Sequence, residues 1–492
     1  NADTGNDPFV ISFASSAAPT EIGIGNSALP NITRDGVTID GDGAHVLLRN
    51  DSNSLTAVTN GLTVTGAGFV LRNMAISGFR GACVAATGAN PTVGAVAAGN
   101  AVGGCGTGIA VGGVGAIVRS NLVGFTPAGG ADPVETGIVI AAGNSTIGGP
   151  ASVQGAGNTI GNATTGIFVG SGGTQAFSGT QIERNVLGRG PDNSAAPVTR
   201  GILLSQPSDD TSVLTNTITN AGDGIVVAPD AGGTSVVRNR FIANIFDGIQ
   251  GKAIDLAADG LTNANDPGDT DTGPNTLINH PNITRATQTR VTGSSCAACQ
   301  VQIYVAVHEP GGAHDYGLAP LTSGTVTADA TGQFALDNPA VSPGDWLIAL
   351  TTDADGNGEN SPFPIHEYLR NQLLGKKVKM LELNAGHALV EQMTADTMTD
   401  MKVEIDGGAV EQDVMDWLEE IDYYSILEEA VRDYFGTGYA VQQPYRLEDE
   451  SVTVANIDPS TWYPVMPTFL YQNVSEARII TPFDEGKAGA HK

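Results

Sequence analysis

Asn158-Thr-Ile-Gly-Asn-Ala-Thr-Thr-Gly-Ile-Phe-Val169 is the stretch whose reading decides the fold. An asparagine leads a short apolar run, and eight residues later a glycine leads another. The same step separates Asn73 from Gly81, Asn100 from Gly108 and Asn216 from Gly224. Asn121 to Gly137 and Asn185 to Gly201 take sixteen residues, so each carries an eight-residue insertion at one corner, within Gly124–Glu135 and Gly188–Arg200. The glycine element recurs as Gly81-Ala-Cys-Val, Gly108-Ile-Ala-Val, Gly137-Ile-Val-Ile, Gly166-Ile-Phe-Val, Gly201-Ile-Leu-Leu and Gly224-Ile-Val-Val. Lys252-Ala-Ile-Asp-Leu is a looser last copy, and the asparagine element recurs once more at Asn239.

Runs this short and this β-branched cannot bury an inward face alone, and they are too short for helix pairs. Stacking them solves the problem: each coil pairs with the next in a parallel sheet, and the inward Ile, Val and Leu form one continuous core. Glycine at each bend supplies backbone angles that other residues resist. Asparagine at a fixed place in successive coils stacks as an amide ladder. The expected fold is mainly β: a parallel β-helix over residues 1–280, of about nine or ten coils and, at ~4.8 Å per coil, about 45 Å long.

Around this repeat the composition sets bounds. The chain has 492 residues with 23 basic against 52 acidic side chains, a formal charge of −29, 65 glycines and 5% aromatic residues. An anionic surface of this strength argues against nucleic-acid binding through a basic patch and against anionic lipid surfaces. No apolar run reaches the roughly 18 residues of a membrane span, and no signal-peptide pattern stands at Asn1. The composition breaks at Phe363: residues 1–363 hold 57 of the 65 glycines and one lysine, Lys252, whereas residues 364–492 hold six of seven lysines and six of seven methionines. So abrupt a shift marks a domain boundary, or a fusion of unrelated genes.

Leu29-Pro-Asn-Ile-Thr33, Val37-Thr-Ile-Asp-Gly41 and the Asn/Gly repeats resemble bacterial right-handed β-helix repeat surface proteins of the pectate-lyase-like superfamily. Ala253-Ile-Asp-Leu256 with Asp266-Pro-Gly-Asp-Thr-Asp-Thr-Gly-Pro-Asn275 looks like that family's last coil and exit loop. The resemblance covers residues 9–363 and implies secreted or envelope-attached material. From Pro281 the period becomes two: Val301, Ile303, Val305 and Val307 alternate with Gln300, Gln302, Tyr304 and Ala306. Thr325–Asp329, Gln333–Leu336 and Trp346–Thr351 follow as short strands, so 281–363 reads as an immunoglobulin-like β-sandwich. In 364–492, Val410, Val414, Trp417, Leu418 and Ile421 follow a helical period up to Gly436. Strands follow at Tyr439–Gln442, Ser451–Ile457 and Glu476–Ile480, an α+β segment. Asp422-Tyr-Tyr-Ser425, Phe435-Gly-Thr-Gly-Tyr-Ala440 and Val454-Ala-Asn-Ile-Asp-Pro-Ser-Thr-Trp-Tyr-Pro-Val465 are similar to the amino-terminal part of tailed-phage portal proteins, without their stem and clip.

Enzymes on this scaffold place either a basic residue beside calcium-bound carboxylates or several carboxylates on adjacent coils. Lysine is nearly absent here, and Asp209-Asp210 is the single adjacent acidic pair of the repeats, in a Gln206-Pro-Ser-Asp-Asp-Thr turn where a turn role outweighs catalysis. Cys83 and Cys105 are one coil apart and can bridge neighbouring rungs; Cys296-Ala-Ala-Cys299 lacks the second pair that zinc needs and suits a local disulfide, with reduced buried thiols as the alternative. For metal, Asp353-Ala-Asp-Gly-Asn-Gly358 matches the first half of a calcium loop, giving Asp353, Asp355, Asn357 and Glu359 as oxygen ligands, while position twelve is Pro364. Asp266, Asp269 and Asp271 crowd a second loop, and solvated acidic turns are the competing reading of both. The expectation is a non-enzymatic, exported structural or adhesive surface protein that displays its corner loops to a glycan or another surface protein, as a monomer or a homo-oligomer. A β-helix polysaccharide lyase or glycoside hydrolase, and a phage virion component, are the alternatives.

Overall fold

The computed structural model describes residues 9–13, 21–25, 28–41, 46–50, 60–170, 177–205, 208–229, 236–261, 263–307, 316–342, 345–360 and 365–366, together with the strands 441–446, 452–457, 462–465 and 476–479. The chain divides into two compact units, Asn1–Glu367 and Tyr368–Lys492.

Three parallel sheets run through the first unit, and the chain visits them in turn. A typical coil passes from Ile117–Val118 in sheet one to Leu122–Val123 in sheet two and Val134–Ile140 in sheet three, then returns to sheet one at Thr146–Gly148. Sheet one begins at Phe9–Ser12 and ends at Arg240–Ile242; sheet two runs from Glu21–Ile24 to Ile245–Asp247; sheet three runs from Leu62–Val64 to Ile254–Leu256. Sheets one and two have nine strands each and sheet three has eight, which makes a three-sided parallel solenoid. Register keeps like above like. In sheet three Ile109, Ile138, Ile167, Ile202, Ile225 and Ile254 stack in one line, all buried. Val118, Ile147, Ile182, Val213 and Phe241 do the same in sheet one. Each such side chain gains about 1.5–3 kcal/mol by leaving water, which a strand of two or three residues needs.

The corners are made by single residues in the left-handed region. Asn73, Ser120, Arg184, Thr215 and Ala243 turn the chain into sheet two, and Asn90, Asn144, Asp210 and Arg238 turn it into sheet one. Glycine does the same at Gly68, Gly115 and Gly179. The glycines of the repeated Gly-Ile element serve a different purpose from the one expected. Gly108, Gly137, Gly166, Gly201 and Gly224 are not left-handed; a Cβ at Gly166 would sit 2.6 Å from the Gly201 carbonyl oxygen and 2.7 Å from Leu187 Cδ2. Close approach between coils, and not a special backbone angle, excludes a side chain there.

The asparagine ladder is present, with two members exchanged. Asn100, Asn121, Asn158, Asn185, Asn216 and Asn244 form it, each Nδ2 but the last donating to the next Oδ1 at 2.8–3.0 Å. Every Nδ2 also reaches a backbone carbonyl, as Asn158 does to Val118 at 2.9 Å. Asn73 lies one residue before the ladder, in the corner itself; Met74 takes the ladder place and its amide donates to Asn100 Oδ1 at 3.1 Å. Asn239 belongs to the corner that leads into sheet one, with Ser145, Thr180 and Thr211 in the equivalent places of the preceding coils, and its amide donates to Asn275 Oδ1 at 3.0 Å.

Residues Asn282–Asn360 form two antiparallel sheets. One orders Asn282–Ala286, Arg290–Ser294 and Gln333–Asp337; the other orders Tyr316–Thr327, Gln300–Val307, Trp346–Thr352 and Gly358–Asn360. Ile283, Val291 and Phe334 of the first pack with Val301, Ile303 and Leu347 of the second in a separate apolar cluster. The opposite side of the second sheet closes the end of the solenoid: Tyr304, Ala306, Ile348 and Leu350 join the solenoid's own core. At two corners, side chains replace the coil that does not follow. Gln302 Oε1 accepts from the Ala243 amide at 3.1 Å, where the preceding coil's Thr215 amide meets the Ile242 carbonyl. Asn357 Oδ1 accepts from the Arg238 amide at 2.7 Å, in the place where the Val237 carbonyl serves Asp210. The Tyr304 hydroxyl donates to Gln302 Oε1 at 3.1 Å; burial pushes its ionisation far up, so it remains a neutral donor.

In the second unit Val441–Arg446 pairs antiparallel with Val452–Ile457, and Trp462–Val465 with Glu476–Ile479. The helix expected from Val410 to Gly436 lies outside the described residues. No helix among the described residues is long and apolar enough to cross a membrane.

Candidate functional site

The two corner insertions sit where the eight-residue excess requires, between sheets two and three, and they meet. Phe125 and Ala131 form one antiparallel bridge, Arg189 and Ala195 the other. The coil between them carries no insertion, and Gly161 leaves room for both: a Cβ there would lie 2.6 Å from Ala196 Cβ and 2.7 Å from Phe125 Cζ. The Phe125 ring is accordingly buried, at 2% exposure. Asp132 ties the first loop down, its Oδ2 accepting from Ser77 Oγ at 2.8 Å and its carbonyl from the Gly104 amide at 3.0 Å. In the second loop Asp192 Oδ1 accepts from Ser194 Oγ at 2.6 Å and from its amide at 3.0 Å, bonds that hold the Asp192 carboxyl below the usual aspartate range. Arg189 pairs with Asp247, two coils further on, at 3.6 Å.

Beside the loops, the outer face of sheet three carries a line of half-buried apolar side chains in register: Ala85, Ala110, Val139, Phe168 and Leu203. Next to it run Thr107, Thr136, Thr165 and Arg200. A row of apolar side chains beside a row of hydroxyls, one rung apart, offers an extended ligand both a flat contact and hydrogen bonds.

The residues expected to hold calcium do other things at one loop and crowd at the other. Asp353 Oδ1 accepts from the amides of Gly356 and Asn357, both at 2.7 Å, and its Oδ2 from Asn357 Nδ2 at 2.8 Å. With Asn357 Oδ1 committed to Arg238, the two side chains that open the motif are a folded turn that plugs the solenoid end. Asp355 is exposed, and the Glu359 side chain lies outside the described residues. Asp266 Oδ2 accepts from Thr270 Oγ1 at 2.6 Å and from its amide, and those bonds hold its carboxyl low. Asp269 Oδ1 accepts from the Asn279 amide at 2.8 Å; burial pushes its carboxyl up, and Asp266, Asp353 and Asp271 add to the push. The two acidic loops are therefore electrostatic neighbours, which their separation in the chain did not reveal. Among the described residues, no group of three or more His, Cys, Asp or Glu side chains converges to hold a metal ion.

Asp209 and Asp210 serve a corner. Arg238 donates from Nε to Asp210 Oδ1 at 2.7 Å and from Nη2 to Oδ2 at 3.0 Å, and the Val237 amide donates to Asp209 Oδ1 at 3.0 Å. That fork holds the Asp210 carboxyl below its ordinary range. Cys83 is bridged to Cys105 with Cα atoms 5.7 Å apart, and Cys296 to Cys299 at 5.4 Å. Set against known proteins, the chain matches no family model and no curated protein.

Proposed function

We propose that this chain is an exported, non-enzymatic display scaffold whose solenoid presents the fused corner loops and the adjoining outer face of sheet three to a glycan or to another surface protein. The observation that carries the reading is the packing of the two insertions on each other over Gly161, which builds one composite surface on a hydrogen-bonded frame. Two bridged cysteine pairs suit an oxidising compartment. The antiparallel sheets of residues 282–360 support the likeness to the immunoglobulin-like domain that follows such solenoids, and the parallel sheets support the likeness to right-handed β-helix surface proteins. Calcium belongs to this proposal at Asp266, Asp269 and Asp271, where it would relieve the crowding that raises Asp269.

The test is binding of the full chain to immobilised neutral and acidic oligosaccharides and to envelope fragments, with calcium and with a chelator. Phe168→Ser and Asp192→Ala variants are expected to weaken capture at least tenfold with unchanged far-ultraviolet circular dichroism. Capture that ignores both substitutions overturns the site. Release of new reducing ends or unsaturated sugars with time moves the chain to the lyase or hydrolase reading. A phage-particle role requires the chain to be found in purified virions.

A further inference from the structure

The last strand of sheet three, Ile254–Leu256, breaks the pattern of that sheet's outer face. Val226 of the neighbouring strand continues the apolar line, and beside it stands Asp255. The side chain is 3% exposed. Its Oδ2 accepts one bond, from the Gly260 amide at 3.2 Å, and its Oδ1 is buried with no partner. The turn that supplies that amide is wound through three left-handed residues, Ala257 (φ 83°), Ala258 (φ 58°) and Gly260 (φ 71°). Two alanines in that region cost on the order of 1–2 kcal/mol each, so the turn holds its shape only while it is anchored. Its anchors are the Ala257 amide on the Val227 carbonyl at 2.9 Å, the Leu261 amide on Asp259 Oδ1 at 2.9 Å, and Asp255. Leu261 stands 66% exposed at its tip.

The charges acting on Asp255 are those of Asp223, on the adjoining strand, and Asp259, in the turn itself. Asp223 Oδ1 is held by the backbone amide of Lys252 at 3.0 Å, and Lys252 is the one lysine before the composition break. Of the other elements against the strand, the 3-10 turn Pro274–Leu277 has no titratable side chain, and strand Gly358–Asn360 carries Glu359, whose side chain lies outside the described residues. An ionised Asp255 is thus desolvated, bonded once and repelled twice. Burial pushes its carboxyl up, and the two neighbouring carboxylates add to that.

We propose that Ala257–Leu261 is a pH-sensitive strap, closed over Asp255 in acid and released as the pH rises, when it uncovers the buried Val226 end of the outer face. The sign follows from linkage: a carboxyl raised in the closed form stabilises closure below its open-form pKa, about 4, and that contribution is lost as the pH climbs to the raised closed-form value.

Hydrogen exchange read by mass spectrometry on the full chain, across about pH 5 to pH 8 and corrected for intrinsic rates, tests this. The Gly260 and Leu261 amides are expected to lose protection about tenfold or more with rising pH. Asp255→Asn, which supplies a permanent neutral amide, holds the turn closed and flattens the profile. Asp223→Asn shrinks the loss by removing one repelling charge. An Asp255→Asn profile that matches the wild type, or a wild type without pH dependence, overturns the strap. On the unsubstituted chain, limited cleavage at Leu261 should quicken with pH in parallel; a rate that tracks only the protease's own pH profile overturns it equally.

Discussion

A single asparagine shows how this solenoid treats polar groups. Asn158 Nδ2 donates to Asn185 Oδ1 and to the Val118 carbonyl, and its Oδ1 accepts from the backbone amide and the Nδ2 of Asn121. Removing it strands the Asn121 backbone amide on one neighbouring coil and takes a donor from Asn185 Oδ1 on the other and from the Val118 carbonyl, and each buried orphan costs about 1–3 kcal/mol. Asn158→Ala should therefore destabilise by roughly 2–6 kcal/mol in denaturant unfolding, if two such groups are left bare. Asn73→Ala is the control: its side chain bonds Asp40 alone and sits in the corner, so about 1 kcal/mol is expected. The two substitutions are alike in sequence and unlike in place. That contrast was illegible beforehand, because Asn73 and Asn100 both precede an apolar run, as do Asn239 and Asn244. Only the corner geometry, with a left-handed residue before each of Asn121, Asn185, Asn216 and Asn244, separates ladder from corner.

At the scale of the element, a strand of sheet three is defined by what it lacks. Gly137, Gly166, Gly201 and Gly224 stand at the middle of successive strands, and a side chain at any of them would strike the carbonyl of the next coil. The nearest of these contacts is a carbonyl oxygen of a paired backbone, which cannot swing aside as the end of a side chain such as Leu187 Cδ2 can. Gly166→Ala should cost about 1–3 kcal/mol or more as overpacking, and the loss should appear as a lowered midpoint with unchanged denaturant dependence. Gly115→Asn is the instructive counterpart. Gly115 is left-handed, a conformation asparagine tolerates and Asn90 and Asn144 already adopt at the same corner, so strain is not the obstacle there. A Cβ would instead press on Asn90 Oδ1, the end of a side-chain amide that can swing aside.

For the whole first unit, the question is how a stack of coils ends. Corner amides such as those of Asp210 and Thr215 bond carbonyls of the following rung, and the last rung gives the equivalent amides to Asn357 and to Gln302, which also accepts from the Tyr304 hydroxyl. Gln302→Leu keeps the volume and removes the acceptor, leaving the Ala243 amide and the Tyr304 hydroxyl without their shared partner. We expect about 2–4 kcal/mol of destabilisation and hydrogen-exchange deprotection that starts at the terminal coil and fades toward Asn100. Uniform deprotection along the ladder would show that the antiparallel sheets are not acting as a local cap.

The sequence by itself determined the repeating part: short β-branched runs at fixed offsets have one economical burial, by stacking, so parallel sheets and a ladder of amides follow from spacing alone. The corner insertions and the bridge between Cys83 and Cys105 were legible for the same reason, since both are counts along a repeat. What the tertiary structure decided lies where the repeat stops. Asp353 and Asn357 read as metal ligands because a calcium loop and a side-chain plug need the same oxygens at the same spacing. The plug depends on Arg238, 119 residues away from Asn357 in the chain, whose amide donates to Asn357 Oδ1. Asp255 was one acid among many until Gly260 folded back over it and left an oxygen buried with no partner among the described residues. Periodicity fixes the contacts a coil makes with its copies, whereas contacts between unlike parts depend on which groups the last coil leaves unsatisfied, and those exist only once the chain has folded.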